Sequence, residues 1–263
     1  MGSPWPSRSS ARAERRDGHQ PILAMQLGPV RFAVAARDRT ARRPFSHRLI
    51  VRETGFVPSA IPADAGIQGL CAALGADTRR NDLIFDDALR SLAEARSPIL
   101  LTERLDHLEQ FAARWGKFTR HLAVLHGRMK TRDPREAMTR LAAIPEGDER
   151  LLLATGRFIG EGFDDARLDT LFLALPVAWK GTIVQYAGRL HRLHPGKREV
   201  RIHDYVDGAL PMLARMFEKR LRGYRAMGYE AEDTLPGSAA SLAESVHVFE
   251  HMEVQNDGGA EGY

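Results

Sequence analysis

Two short apolar runs set the strongest limit on what this chain can fold into. Leu151 to Ala154 runs up to Thr155 and Gly156, and Leu171 to Leu175 runs up to Pro176. Short apolar runs closed by Gly or Pro read as strands buried on both faces, and the chain between them is long enough for a crossover. Such a βαβ unit belongs to a mostly parallel sheet. Small and polar residues at its strand ends stand where open α/β sheets take their ligands.

The remaining chain keeps the same alternation. A strand at Pro98 to Thr102 leads into a helix from Glu103 to Trp115, and a strand at Leu122 to His126 into a helix from Pro134 to Ile144. Farther on, a strand at Glu199 to Tyr205 leads into a helix from Leu210 to Ala226. Asp77 to Arg96 carries apolar residues at helical spacing, whereas residues 21–57 partly alternate and are broken by Gly28-Pro29, which predicts strands. The expected fold class is α/β, a parallel sheet with helices on both faces, preceded by a short β-rich segment. The expected division is a disordered leader at 1–19, a β-rich segment at 20–60, an α/β domain at 70–229 and an acidic flexible tail at 230–263.

Composition narrows the function classes. Hydrophobic residues make up 43% of the chain, and no apolar run reaches the length of a membrane span, so no membrane partner is expected. The single cysteine, Cys71, excludes an intramolecular disulfide and a cysteine-based metal site, which fits a reducing, cytoplasmic location. Charge is uneven. From Glu230 onward there are eight acidic residues and no Lys or Arg, which leaves 38 basic against 26 acidic before it, a formal +12 where the whole chain has +4. A basic body suits a polyanion, although surplus arginine also serves solubility. Residues 1–18 hold no signal-peptide apolar segment, and Pro6 stands where a myristoylation signal at Gly2 needs Ser or Thr.

Gln185-Tyr-Ala-Gly188-Arg189-Leu-His-Arg192 ends a helical segment starting about Gly181 and sets two arginines three residues apart. On one helix face both guanidiniums could grip one anionic group bidentately, or they could simply form a solvated basic helix end. Thr102 could donate to a phosphate beside the following helix start or serve as a plain cap. His191 and His194 lack a third ligand at metal spacing, so no metal site is expected. Trp115 and Trp179 could stack bases, but in an α/β domain they read first as core.

Taken in order, Thr155, Gly162-Phe163-Asp164 and Gln185-x-x-Gly188-Arg189-x-x-Arg192 resemble motifs V and VI of superfamily 2 helicases, nearest to the branch of type III restriction-enzyme and related DEAD/DEAH-type motors. Leu100-Leu-Thr102-Glu-Arg104 resembles motif IV, and Val124-Leu-His126-Gly127 resembles the strand end along the nucleic-acid path of these motors. The resemblance spans roughly residues 20–229, and it implies that the β-rich 20–60 segment with Gly28-Pro29 is a remnant of the first motor domain, following its motif III. It implies a second RecA-like motor domain of an ATP-dependent DNA helicase, with RNA not excluded. Arg189 and Arg192 would be its arginine fingers, and Gly162, Asp164, Gln185 and Gly188 would lie against ATP. Thr102, Arg104, His126, Gly127 and Thr155 would lie along the nucleic acid.

The chain departs from that pattern in one respect. No G-x-x-x-x-G-K-[ST] phosphate loop and no DEAD or DExH box is present, so motifs I to III are missing. Mg²⁺ would then be held mainly by a first motor domain in another chain, or one that has been lost. ATPase activity would require that domain. A non-catalytic nucleic-acid-binding or regulatory module, or an orphan fragment of the fold, stands as the alternative.

Overall fold

A computed structural model describes residues 43–57, 66–129, 133–156, 165–177 and 180–232. The expected leader, most of the 20–60 segment with Gly28-Pro29, Gly162-Phe163-Asp164, Trp179 and nearly all of the acidic tail lie outside the described residues.

The strands are β1 (Ser46–Glu53), β2 (Pro98–Thr102), β3 (Leu122–Leu125), β4 (Leu151–Thr155), β5 (Thr170–Leu173), β6 (Glu199–Val206) and β7 (Glu230–Ala231). They form one seven-stranded sheet in the order β3-β4-β2-β5-β6-β1-β7. Every pairing in it is parallel. The helices are α1 (Gly66–Ala76), α2 (Thr78–Ala93), α3 (Leu105–Trp115), α4 (Asp133–Ala143), α5 (Lys180–Leu190) and α6 (Pro211–Ala226). The parallel α/β sheet expected from the apolar runs is the observed one, and so is the RecA-like architecture that the motif resemblance implies. β1 pairs with β6 along its whole length, so this part of the 20–60 segment is a strand of the same sheet.

The central strands explain why their sequences are apolar throughout. All residues of β2 and β5 are buried, because helices cover both faces and leave no wet side on which to alternate. Side chains leave a strand on alternate sides, so each strand feeds two cores. Ile99, Leu101, Leu152, Leu171, Leu173 and Ile202 pack with Tyr186 and Leu190 of α5 and Phe217 and Leu221 of α6. Leu100, Leu151, Leu153 and Phe172 pack on the opposite face with Ile84 and Phe85 of α2 and Leu108, Phe111 and Trp115 of α3. Trp115 is fully buried, its ring centroid 4.3 Å from that of Phe85. It is core, not a base-stacking platform.

Local chemistry fixes the helix ends. Asp77, in extended conformation, accepts from the Arg80 backbone N–H and caps α2. Pro211 opens α6, where its fixed φ and missing N–H cost nothing. Among the described residues no helix is long and apolar enough to cross a membrane.

Four histidines are buried among the described residues, and in His47, His107 and His203 burial lowers the pKa. Burial, helped by Arg43 and Arg80 respectively, lowers His47 and His107 to about 4. Burial helped by Arg201 lowers His203, which stacks on Phe172, to about 3. Between those values and the ordinary histidine value of 6.5 the unfolded chain binds protons that the folded chain refuses. Stability is therefore expected to fall as the pH drops from about 6.5 toward 4. Urea unfolding across that range should show the decline, and His203→Phe, which keeps the stack, should remove part of it. An unchanged slope in that variant would mean that His203 does not stay neutral in the folded chain.

Candidate functional site

The direction of the chain reverses sides at the carboxyl end of β2. β2 feeds α3 on one face, whereas its neighbour β5 feeds α5 on the other, and such a switch point opens a crevice at the strand ends. Three resemblance-bearing segments meet there. Thr102 pairs in register with Thr155, and Leu125 pairs with Ala154, so His126 follows at the level of Thr155. Thr102, Thr155 and His126 thus form one row across β2, β4 and β3.

Their side chains differ in what they offer. Thr155 and His126 are half-buried and Gly127 is exposed in the turn closed by Met129 N–H on His126 C=O. Thr102 is buried, and its hydroxyl lies 3.0 Å from His107 Nδ1 and accepts from the Arg104 backbone N–H. It is therefore neither the cap of α3, which is Arg104, nor a group presented to solvent. Its hydroxyl is spent inside the chain. His107 Nε2 lies 2.9 Å from Asn81 Oδ1, extending the network to α2. Arg104 is partly exposed and pairs with Asp106 through its Nε at 3.0 Å.

A second contact at the crevice was not foreseen from the sequence. Tyr186, buried on α5, donates its hydroxyl to Glu103 Oε1 at 3.1 Å. Burial and the neighbouring carboxylate both push the phenol up and keep it a donor. Gly156 lies beneath this bond, and a Cβ there would overlap both Tyr186 Oη and Glu103 Oε1. The only sequence signal was the small residue ending an apolar run. Its tight surroundings needed the fold.

Arg189 and Arg192 lie elsewhere. α5 ends at Leu190, so Arg189 is in its last turn while Arg192 follows in the turn beyond, its N–H 3.4 Å from Arg189 C=O. The expected single helix face for both guanidiniums is thus interrupted. Arg192 is exposed and Arg189 and Gln185 are partly exposed. Lys197 Nζ, buried, donates to Leu190 C=O at 2.8 Å and Arg192 C=O at 2.9 Å. This cation sits on the carbonyls that a helix end leaves unpaired. Burial lowers Lys197 to about 8, opposed by Asp169 and Asp165. His191 Nε2 lies 2.9 Å from Tyr229 Oη, fixing the same turn to the end of α6.

These contacts place the end of α5 near the amino edge of the sheet, away from the threonine row. Asp165, next in sequence to Asp164, is also there, held by Arg150 at 2.6 and 3.1 Å. A cleft of about 290 Å³ at this edge includes Arg96, Arg167 and Lys197 in its lining. Its cations are engaged internally, Arg96 with Thr170 and Glu199 and Arg167 with the Ile144 and Pro145 carbonyls.

Gly188 presents a different case from Gly156. It is exposed, and a Cβ there would meet nothing within 4 Å. Internal packing does not demand a glycine at this position. Among the described residues no group of three or more His, Cys, Asp or Glu could hold a metal ion.

The bond over Gly156 gives a direct test. Gly156→Ala should destabilise the fold by about 1–3 kcal/mol through overpacking. Adding Tyr186→Phe should cost less than the two single losses together, because removing the hydroxyl clears the space. Strict additivity in denaturant unfolding would contradict the contact.

No family model matches the chain, and no curated protein matches it. Solved structures do. T4 UvsW superimposes with a TM-score of 0.57 at 14% identity over 76% of this chain and 42% of its own. The DNA-bound ATP-dependent type ISP restriction-modification enzyme LlaBIII gives 0.56 at 15% identity over 87% of this chain and 18% of its own. Dbp5 of S. cerevisiae, bound to RNA and ADP BeF3, gives 0.53 at 13% identity over 91% and 53%. The chain therefore spans little more than half of Dbp5 and less of the other two. Its fold is the RecA-like α/β fold that these three structures share.

Proposed function

We propose that the chain is the C-terminal motor domain of an ATP-dependent DNA helicase or translocase, incomplete without a first RecA-like domain. The observation that carries this reading is the separation of two surfaces on one sheet. The half-buried strand-end row of Thr155 and His126 lies at the carboxyl edge, and the exposed arginine turn at the end of α5 lies toward the other. A motor needs its track and its nucleotide contacts on separate, mechanically linked surfaces.

In this reading Thr155, His126 and Gly127 meet the sugar-phosphate backbone, and Arg104 would exchange Asp106 for a phosphate. Thr102 supports the row from within through His107. ATP held by the first domain supplies the γ-phosphate. Arg192 and Arg189 reach toward its developing charge, a role typically worth about 10³–10⁵ in rate. Lys197 and the His191–Tyr229 bond keep their turn rigid. Gly188, open to solvent, leaves room for close approach of the nucleotide, with Gln185 one turn earlier and with Gly162 and Asp164 supplied by the segment before β5. Mg²⁺ is left to the first domain.

LlaBIII on DNA and Dbp5 on RNA with ADP BeF3 support a nucleic-acid partner of either kind, and the type III resemblance favours DNA. The absence of a phosphate loop from the sequence favours a second reading, a nucleic-acid-binding or regulatory module that keeps the fold without turnover.

ATP hydrolysis by the purified chain, with and without single-stranded DNA, duplex DNA and RNA, separates these readings. The expected result is no turnover alone and DNA-stimulated turnover with a first motor domain added, falling about 10³-fold in Arg192→Ala. Turnover by the chain alone, lost in Arg192→Ala, would overturn the incomplete motor. DNA binding with no turnover in any pairing would favour the module. Gly188→Ala should stabilise α5 by up to about 1 kcal/mol, since glycine is a poor helix former, yet lower turnover of the reconstituted motor. Undiminished turnover would remove Gly188 from the nucleotide site.

A further inference from the structure

α6 buries one face and leaves the other bare. Phe217, Leu221 and Tyr224 face the sheet, Leu213 and Met216 pack with Cys71 and Leu74 of α1, and Arg220 is locked by Asp204. Arg215, Lys219, Arg222 and Arg225 are all exposed. Arg215, Lys219 and Arg222 follow i, i+4, i+7 spacing and therefore share one face, which Arg225 extends by one more step of three. None of the four makes an ion pair among the described residues, unlike Arg48, Arg52, Arg96, Arg114 and Arg201, each with a carboxylate partner. Glu218 is the one acidic residue of the helix and is only partly exposed.

We infer that the outer face of α6 is a second nucleic-acid surface, sequence-blind and distinct from the strand-end row. Arg215 to Arg222 spans about 10 Å of helix axis at 1.5 Å per residue. One strand of a duplex presents a phosphate about every 3.4 Å, so the stripe covers about three phosphates. Beside the partly exposed Glu218 its exposed charges are long cationic side chains, with no aromatic ring to stack bases and no amide to read their edges. Phosphates are the groups it can recognise. α6 packs over β6 and beside α5, whereas the row lies on β2, β4 and β3, so the surface sits at the other end of the sheet. The inference does not depend on whether the chain supports ATP turnover.

Fluorescence anisotropy with a labelled DNA duplex of arbitrary sequence, titrated between about 50 and 200 mM salt, tests it. The full chain is compared with the triple variant Arg215→Gln, Lys219→Gln, Arg222→Gln. A control triple variant, Arg79→Gln, Lys117→Gln, Arg120→Gln, neutralises three exposed basic residues outside α6. The α6 variant should bind at least ten-fold more weakly at the low-salt end. Its slope of log affinity against log salt should be shallower by about 2.7, which is 0.9 for each of three phosphates. The control should change neither comparably. An equal loss in the control would reduce the effect to net charge and overturn the assignment. Unchanged or tighter binding by the α6 variant, as would follow if the acidic 230–263 segment occupied this face, overturns it as well. Replacing Thr155 and His126 by Ala reports on the strand-end row separately, so loss there with none at α6 counts against this inference alone.

Discussion

The buried pair of Arg80 and Asp207 holds the carboxyl edge of the sheet together. Arg80 leaves the first turn of α2 and is fully buried, and its Nε lies 3.1 Å from Asp207 Oδ1 just past β6. Its Nη1 donates to Ala174 C=O just past β5 at 2.5 Å. Thr54, just past β1, donates to the same Asp207 oxygen at 2.5 Å, and the Phe56 N–H closes onto Thr54. One guanidinium thereby ties a helix start to the ends of three strands. Removing one partner would leave the other charge buried alone, which typically costs about 3–5 kcal/mol. No apolar contact could impose the same directional registry at strand ends, where backbone carbonyls need donors.

The same device recurs where the sheet meets α6. Asp204 on β6 accepts from Arg220 at 2.7 and 2.8 Å and from Tyr224 at 2.8 Å, all fully buried. The fork of the guanidinium matches the carboxylate and fixes the rotation of α6 about its own axis. That rotation decides which residues of α6 face solvent, and hence where Arg215, Lys219 and Arg222 project. At the end of α5 the polar work is done by Lys197 and by Tyr229, which converge on the turn that carries Arg192. Rigid interior polar contacts thus set the direction of exposed charge on both helices.

Functional geometry follows from this division. The strand-end row needs the parallel register between β2 and β4, and the bond from Tyr186 to Glu103 over Gly156 ties α5 to that same crevice. α5 therefore touches the row near its middle and carries the arginines at its end. This contact joins Tyr186, Glu103 and Gly156, which no single stretch of sequence contains.

The sequence by itself determined the central strands and most helices, because burial on both faces forces uninterrupted apolar runs such as Leu151 to Ala154 and Leu171 to Leu175. It placed Glu230 and Ala231, however, in a flexible tail where the structure pairs them with β1 as β7. It also determined the motif resemblance, since Gln185, Gly188, Arg189 and Arg192 are close in the chain. It did not reveal α1, whose weakly patterned, glycine-bearing sequence has no sharp periodicity, nor that residues 46–53 enter the sheet between β6 and β7. Tertiary structure alone decided that Thr102 is occupied by His107, that Arg192 lies beyond the helix, and that Arg80, Asp207 and Thr54 meet. Those contacts join residues up to 153 positions apart. Local spacing carries the period of a helix or strand but no information about which distant polar group will satisfy a buried charge.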